Sequence, residues 1–538
     1  MSSPLPRIDE AASSRPIALT NGRIWTADSD LPEAEALLIT GRSIAAVGAT
    51  DSIMASAPAD TLVVDLQGRM AMPGIHDAHT HLLFSGLKFR YECRLAPDAG
   101  PDRVVHDLSS CLAGDADHGQ FEWVVGGEIN PFNFPAGELD RQFLDEAFPD
   151  RPVFLYDYTI HHGLANTRAL ELAGIGDATA DTPGGRYVRR ADTGELTGEL
   201  VEQATWPVKR AIPDRPEGVY RDVLRWAAAT SNRFGITSVQ EASASRQELE
   251  ALNFIDAAGE LSVRVAAHLV WREEGFGMAS MHDLDETIQE RHRYTSEHVR
   301  TNFIKLWLDG APLPPHFTQA GITDSGAIDD TKILIPRDEL RAAIGAFDAA
   351  GLSVKLHCGA EGAVRVALDV IEEVRQTNGA GPVHEVAHCG FVTPTDVERF
   401  QRLNVVAEMS PAIWHRKEPE FQVLDAGFRF RTLNDAGAHL TIGSDWIIAP
   451  DPNLFPALQG VLERGSESLP IERALEVMTI EGARAVGLGS TTGSIAVGKF
   501  ADVIVLDRDV LSVGSGAVGD TRVLLTLFEG RPVYQADV

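Results

Sequence analysis

The sequence predicts an α/β protein built around a (β/α)8 TIM barrel, and three observations support this fold class. Short runs of β-branched and apolar residues recur eight times through the middle of the chain. Helix-like segments separate these runs from the second to the eighth, an alternation that is typical of a parallel barrel. No Gly-x-Gly-x-x-Gly turn follows any run, so an open doubly wound sheet is the less favoured alternative. The eight runs are residues 71–76, 235–240, 262–270, 302–308, 353–358, 384–389, 404–409 and 439–444.

Both ends of the chain carry strand signals that lie outside this alternation. Asn21-Gly22 separates two short apolar runs, which is typical of a hairpin turn, and similar runs recur between residues 494 and 534. We therefore expect both termini to form one small β-sandwich. The predicted organisation is a disordered tail (1–15), a β-sandwich (16–72 with 488–538), the barrel (73–83 with 216–487) and an insertion (84–215).

The predicted insertion follows the first barrel strand. About 150 residues separate the first run from the second, far more than a simple connection between a strand and a helix needs. Active sites of such barrels lie at the C-terminal ends of the strands. We therefore expect residues 84–215 to cover the barrel mouth and to act as a lid.

The overall charge excludes some classes of partner. The chain has 538 residues, with 47 basic and 78 acidic side chains and a net charge of −31, which disfavours nucleic acid and anionic lipid surfaces. No apolar run reaches the roughly 18 residues of a membrane span, and the N-terminal residues lack the apolar segment of a signal peptide. The four cysteines form no Cys-x-x-Cys pair, so we expect no disulfide framework. These features predict a cytoplasmic protein with a small-molecule partner, and they leave open a homo-oligomer.

Two histidines directly follow the first predicted strand. In the segment 73–81 they are His79 and His81, two residues apart. At the end of a strand this spacing directs both imidazoles to the same side, where they can bind one divalent metal ion. Two polar histidines in a turn would be the structural alternative. Their position at the first of eight strand ends favours metal binding.

Three later runs end with residues of the same chemical kind. His357 ends the fifth run, His388 lies near the end of the sixth, and Asp445 follows the eighth. A single histidine on a strand is often only a hydrogen-bonded core residue. Because a barrel brings its strand ends together, we expect all of these side chains to meet.

Lysine is rare in this chain, with seven residues in all, and two of them lie inside apolar runs. Lys305 lies in the fourth run and Lys355 lies two residues before His357. A buried charged lysine is costly, and reaction of the neutral amine with carbon dioxide would turn it into an anionic metal ligand. A lysine that pairs with an acid is the alternative. We favour Lys305, because it supplies a ligand from the fourth strand.

Taken together, these motifs resemble the amidohydrolase superfamily, and within it amidohydrolase family 3, the branch that includes N-substituted formamide deformylase. The order of the ligand candidates along the chain matches, as do the β-rich flanks. The resemblance covers about residues 17–534, and Cys358 and Cys389 depart from the usual residues after the two later histidines. The segments that carry it are His79-x-His81, Lys305 to Gly310, His357, His388, Asp445, His161 with 166–170, 193–199 and 493–502.

The resemblance implies a centre with two divalent metal ions, zinc by preference, with manganese, cobalt or iron as alternatives. His79, His81 and Asp445 would hold one ion, and His357 and His388 the other. Carboxylated Lys305 and a hydroxide would bridge them. Asp445 would transfer a proton while the C–N bond of a small N-substituted amide is hydrolysed to a carboxylic acid and an amine.

The sequence says less about the substrate. The family motif places His161 in the substrate site, and Asp309, Trp414 and His415 are further candidates for substrate binding. Aromatic residues of the insertion, Tyr156 among them, either line the pocket or form the insertion's own core. Three other functions remain alternatives: a deaminase, a hydrolase of cyclic amides or carbamates, and a non-catalytic binding protein on the same scaffold.

Overall fold

The computed structural model describes residues 5–8, 15–114, 122–411, 415, 419, 424 and 427–537. The N-terminal part is mostly strand, because short apolar stretches alternate with turns that contain glycine, proline or aspartate. Its elements are β1 Ile17–Thr20, β2 Arg23–Trp25, β3 Glu33–Ala34, β4 Ala36–Thr40, β5 Ser43–Gly48, α1 Thr50–Ser56, β6 Leu62–Asp65 and β7 Met70–Pro73.

The first barrel strand, β8 (Ile75–Thr80), leads into the insertion. The insertion has its own mixed sheet, with strand order β13-β14-β12-β11-β10-β9. Its elements are α2 Leu82–Arg90, β9 Cys93–Arg94, α3 Pro101–Gly114, β10 Val124–Ile129, α4 Gln142–Ala147, β11 Val153–Asp157, β12 Gly163–Ala165, α5 Thr167–Leu172, β13 Gly185–Arg189, β14 Leu196–Glu202 and α6 Trp206–Ala211.

A disulfide inside the insertion corrects one expectation. Helix α3 packs against β9, and this contact brings Cys93 and Cys111 together in a disulfide. The sequence shows no sign of it, because the two residues are 18 apart and belong to no short motif. Disulfides are typical of oxidising compartments, so the cysteines no longer support a cytoplasmic location.

The remaining barrel strands alternate with helices along the chain. The elements are α7 Glu217–Arg233, β15 Ile236–Ala244, α8 Arg246–Ala257, β16 Arg264–Val270, α9 Glu274–Gly277, α10 Met281–Gln289, β17 Val299–Trp307, α11 Arg337–Ala349, β18 Ser353–His357, α12 Glu361–Asn378, β19 His384–Ala387, α13 Val397–Leu403, β20 Val405–Met409, α14 Phe430–Asp435, β21 His439–Ile442, α15 Phe455–Leu462, α16 Ile471–Met478 and α17 Ile480–Ala485.

The predicted (β/α)8 arrangement is confirmed as a nearly closed parallel sheet. Its eight strands follow the order β21-β20-β19-β18-β17-β16-β15-β8, and a parallel bridge between Thr80 and Trp446 brings the last strand next to the first. The strands are buried along almost their whole length, as in a barrel covered by helices. All C-terminal strand ends therefore meet at one mouth.

The first predicted strand, residues 71–76, is two strands. Met70–Pro73 pairs with the C-terminal β22 (Val503–Leu506) outside the barrel, whereas Ile75–Thr80 pairs with β15 inside it. The change of sheet occurs at Gly74, where a Cβ would collide with Thr237. The side chain of Thr237 occupies the space that a Cβ would need, so glycine fits this position.

The two ends of the chain share one apolar core. With β23 Val523–Phe528 and β24 Arg531–Gln535, the termini form a sheet of order β5-β4-β1-β6 and another of order β24-β23-β22-β7-β2-β3. Leu19 and Leu37 of the first sheet pack with Val505 and Leu525 of the second. Residues 1–4 and 9–14 of the predicted tail lie outside the described residues, whereas Ile8 is buried and its amide donates to the side chain of Gln535.

Within the described ranges, the helices lack the combined length and apolarity that crossing a bilayer requires.

Candidate metal centre

Six side chains meet at the barrel mouth, and they are the six that the sequence predicts. The Nε2 atom of His81 lies 3.3 Å from Oδ1 of Asp445, and that of His79 lies 3.8 Å from the same oxygen. The His388 ring is 4.6 Å from the rings of both His79 and His357, between centroids. We call these candidate ligands the metal-ligand cluster; its members are His79, His81, Lys305, His357, His388 and Asp445, and all six line one cavity of about 70 Å³.

The donor atoms of this cluster fit divalent metal ions. His79, His81 and Asp445 each offer one ligand atom, and these atoms lie within 4.8 Å of one another. The Nε2 atom of His357 is buried and has no hydrogen-bond partner among the described residues. Burial holds the pKa values of His79, His357 and His388 well below the usual range. Their imidazoles are therefore neutral, which is the form that binds metal.

Hydrogen bonds to Nδ1, on the side of each ring away from the cavity, fix the imidazoles of His79 and His81. Nδ1 of His79 lies 2.7 Å from Oε2 of Glu408, and Nδ1 of His81 lies 2.6 Å from Oγ of Ser243. With Nδ1 engaged in both rings, the Nε2 lone pairs face the cavity. Partners of this kind orient metal-binding histidines and set their tautomer. Neither Glu408 nor Ser243 was predicted, although an acid within the apolar run 404–409 is a usable signal.

The loops after two barrel strands adopt an uncommon backbone conformation. His388 and Asp445 have φ angles of 61° and 47°, in the left-handed region that non-glycine residues rarely adopt. The amide of Asp445 donates to the carbonyl of His79 at 2.7 Å, and the amide of Ser444 donates to Asp77 at 2.8 Å. These hydrogen bonds to β8 hold the Asp445 carboxylate over the two histidines. Strained backbone of this kind is concentrated at functional sites.

The ammonium of Lys305 lies inside the metal-ligand cluster. Its Nζ is 3.4 Å from Nε2 of His79, and among the described residues no carboxylate lies within 4 Å of it. Burial, with a further contribution from Lys355, lowers the pKa of Lys305 to about 7. Lys355 is different, since its Nζ donates to the carbonyl of Ala78 at 2.6 Å and lies 3.4 Å from Glu385.

The insertion contributes one side of the cavity through His161. Nδ1 of His161 lies 3.0 Å from Oε2 of Glu202, and its ring centroid is 5.3 Å from that of His357. Burial alone would lower the pKa of His161, but the carboxylate of Glu202 outweighs it and the pKa is raised. The imidazole of His161 therefore holds its proton more readily than a free imidazole does, and it faces the metal-ligand cluster from the side of the insertion.

The other candidates for substrate binding occupy different positions. Asp309 is buried, and its two carboxylate oxygens accept the amides of Ala320, Gly359 and Ala360 at 2.8–3.2 Å. It therefore ties together the loops after β17 and β18. His415 packs against the backbone of Gly460. Trp414 lies outside the described residues.

Comparison with known proteins agrees with this geometry. N-substituted formamide deformylase of Arthrobacter pascens is 27% identical over 552 aligned residues, which cover 97% of this chain and 98% of the relative. The protein LONG AFTER FAR-RED 3 of Arabidopsis thaliana is 26% identical over 555 residues, which cover 96% and 91%. A solved structure of an uncharacterized metal-dependent hydrolase from Pyrococcus horikoshii OT3 has the same fold, with a TM-score of 0.71, 23% identity and coverage of 93% and 99%.

The family match settles the resemblance inferred from the motifs. Residues 62–534 match the model of the amidohydrolase family, a range that includes both the barrel and the metal-ligand cluster. This chain therefore belongs to the amidohydrolase family and is a metal-dependent hydrolase that acts on carbon–nitrogen bonds.

Proposed function

We propose that the protein hydrolyses the C–N bond of a small N-substituted amide and uses two divalent metal ions to do so. Water supplies the oxygen of the acid and the hydrogen of the amine, so the products are a carboxylic acid and an amine. The observation that carries the proposal is the buried cavity lined by all six members of the metal-ligand cluster. Its volume of about 70 Å³ suits a small acyl group such as formyl, and the deformylase relative acts on formamides by name.

The ligands divide into two groups around Lys305. His79, His81 and Asp445 would hold one ion, and His357 and His388 the other. We propose that the neutral Nζ of Lys305 forms a bond to the carbon of dissolved CO2 and releases a proton, which would give an anionic carbamate able to bind divalent metal ions. The lack of a described carboxylate near Nζ supports this step. An anionic carbamate can bind metal cations, whereas the positively charged ammonium of Lys305 would repel them.

Bound metal ions would polarise the amide carbonyl and make water acidic enough to react near neutral pH. Around them, the side chains of the chain have distinct tasks. Asp445 takes the proton of the attacking water and passes it to the leaving nitrogen, acting as base and then as acid. His161, held by Glu202, donates a hydrogen bond to the substrate carbonyl. Phe276 and Trp307, whose rings stack at 5.0 Å between centroids, exclude bulk water on the side of the insertion.

The decisive experiment is removal and return of metal. Chelated protein is expected to lose turnover of N-alkyl and N-aryl formamides, and zinc or manganese should restore it, with two ions per chain by mass spectrometry. His357→Ala should lose metal and activity, whereas His282→Ala, at an exposed position, should keep both. Full activity of the metal-free protein would overturn the proposal. One ion per chain together with ammonia release from an aromatic amine would indicate a deaminase.

A further inference from the structure

A second cavity, much larger than the first, lies between the insertion and the barrel. Its volume is about 390 Å³, within the range of cavities that bind small organic molecules. Most of its wall is apolar or aromatic. The wall includes Phe84, Val125, Phe154, Tyr156, Ile212 and Tyr220. We call it the insertion cavity.

The insertion cavity adjoins the metal-ligand cluster. Ile160 and Phe276 belong to the walls of both cavities. The Phe276 ring lies 5.9 Å from the His81 ring, between centroids, and is nearly parallel to it. The larger space therefore lies next to the metal-ligand cluster, and the arm of a substrate would reach it by passing Ile160 and Phe276.

One cation lies at this boundary without an acceptor. Nζ of Lys209 lies 4.8 Å from the centroid of the Phe276 ring, and Lys209 lines the insertion cavity. Of the six lysines that the structure describes, Lys209 alone makes no hydrogen bond to a described residue, and no described carboxylate lies within 4 Å of it. Burial lowers the pKa of Lys209, and the nearby carboxylate of Glu273 offsets part of this effect.

Other charged groups that line this cavity have partners or face solvent. Arg210 forms an ion pair with Glu274, and Glu92 accepts a hydrogen bond from Tyr156. Asp214 is exposed. The cavity therefore presents a mostly apolar wall in which the ammonium of Lys209 has no hydrogen-bond acceptor among the described residues.

We infer that the insertion cavity binds the amine-side arm of the substrate, an aromatic or branched apolar group that carries a carboxylate, and that Lys209 binds this carboxylate. The inference rests on the proposed amide hydrolysis. An ammonium without an acceptor in an apolar cavity is costly, and an anionic group of the ligand removes that cost. Because Lys209 Nζ and the His81 ring lie 4.8 Å and 5.9 Å from the centroid of the same Phe276 ring, we expect an arm of about one aromatic ring between the carboxylate and the reacting amide.

A matched pair of substrates tests the assignment. 4-(Formamidomethyl)benzoate and N-(4-methylbenzyl)formamide differ only in a carboxylate and a methyl group. The zinc-loaded wild type should prefer the carboxylate. Lys209→Met should lower kcat/KM for the carboxylate about tenfold to hundredfold, mainly through KM, and should change the neutral substrate little. Lys209→Arg should recover part of the loss, and Lys332→Met, at a half-buried lysine that does not line this cavity, should behave as wild type. An equal loss on both substrates would overturn the role of Lys209.

Binding without turnover separates this inference from the proposed function. Calorimetry should detect 4-methylbenzoate binding to both zinc-loaded and chelated wild type, and Lys209→Met should abolish it. Suppose that amides are hydrolysed but that 4-methylbenzoate binds wild type and Lys209→Met equally, or binds neither. The proposed subsite is then wrong and the proposed function stands. If no amide is hydrolysed while binding still depends on Lys209, the anion site stands and the function is wrong.

A second variant tests the space itself and does not alter Lys209. Ala279 lies in the wall of the insertion cavity, and Ala279→Trp would fill part of it. We expect a higher KM for both benzyl formamides and an unchanged KM for N-methylformamide, whose small methyl group does not reach this cavity. Equal effects on all three substrates would show that the arm does not bind there.

Discussion

The barrel interior contains two clusters of buried ionisable side chains, and they differ in how charge is balanced. We call Lys355, Glu385 and Gln240 the inner polar cluster. In it, Lys355 lies 3.4 Å from Glu385 and also donates to Gln240 and to a backbone carbonyl. In the metal-ligand cluster, Lys305 is equally buried but has no carboxylate within 4 Å among the described residues. Burial alone therefore does not mark a reactive site. A buried charge without a counter-charge inside the protein does mark such a site, since a bound ligand must then supply the opposite charge.

The two lysines are otherwise close equivalents. They are directly paired on adjacent strands, with Lys305 opposite Lys355, and each has apolar neighbours on both sides in sequence. Burial would raise the pKa of Glu385, but Lys355 outweighs it and lowers that pKa to about 2. Lys355 is thus half of a structural ion pair. Lys305 is left to interact with the candidate metal ligands, among them His79.

The largest expected effect concerns Asp445 of the metal-ligand cluster. Asp445→Asn keeps the size and one ligand oxygen but removes the base. We expect kcat to fall by about 10²–10⁴-fold, with a smaller change in KM, because the proton moves only on the way to the transition state. Steady-state kinetics on protein of measured metal content provide the test. Near-normal kcat in a variant that holds two ions would show that Asp445 is only a ligand.

The second prediction compares the two lysines directly. Lys355→Met leaves the buried Glu385 without its partner, so the free energy of unfolding should fall by about 3–5 kcal/mol. Lys305→Met removes an unpaired buried ammonium, so the metal-free protein should be as stable as wild type or more stable, while metal content and turnover fall together. Urea unfolding of both chelated variants and mass spectrometry of metal content would measure this.

The opposite pattern would break the comparison. If Lys305→Met unfolds readily while Lys355→Met loses metal and keeps its stability, the two clusters have exchanged roles and the carbamate belongs on Lys355. Partial rescue of Lys305→Met by added acetate would sharpen the assignment instead, because a free carboxylate would replace the carbamate.

The sequence predicts which candidate ligands meet at the barrel mouth, because strand periodicity and barrel geometry act together. A ligand-type residue at the end of an apolar run is a weak signal by itself. Eight parallel strands place all such ends at one mouth, so His79, His357, His388 and Asp445 must converge. This argument needs only the order of elements, which local hydrophobic patterns reveal.

The remaining features depend on contacts between distant segments. Glu408 orients His79 from a neighbouring part of the barrel, and Phe276 separates two cavities from a short helix without a motif. Lys209 is distinguished only by the absence of a described carboxylate within 4 Å of its ammonium. The Cys93–Cys111 disulfide likewise depends on how α3 packs against β9. No local pattern encodes such relations, since each requires the packed structure.

The smallest expected effect concerns Glu408, whose carboxylate could either bind metal or position His79. Its Oε2 lies 2.7 Å from Nδ1 of His79 and also accepts the amide of His388, while Oε1 accepts the hydroxyl of Ser410 at 3.0 Å. Because both oxygens are engaged, we expect Glu408 to position His79 and not to bind metal, although its carboxylate also lies within ligand range of His79 and His388.

Glu408→Gln should weaken metal binding about 10–100-fold, as measured by competition with a chelating dye, and saturating zinc should restore most of kcat. Glu398→Gln, at an exposed position, should bind metal as wild type does. If Glu408→Gln instead retains a single ion even at saturating zinc, Glu408 is itself a ligand, and the counter-charge missing at Lys305 is supplied in part from within the barrel.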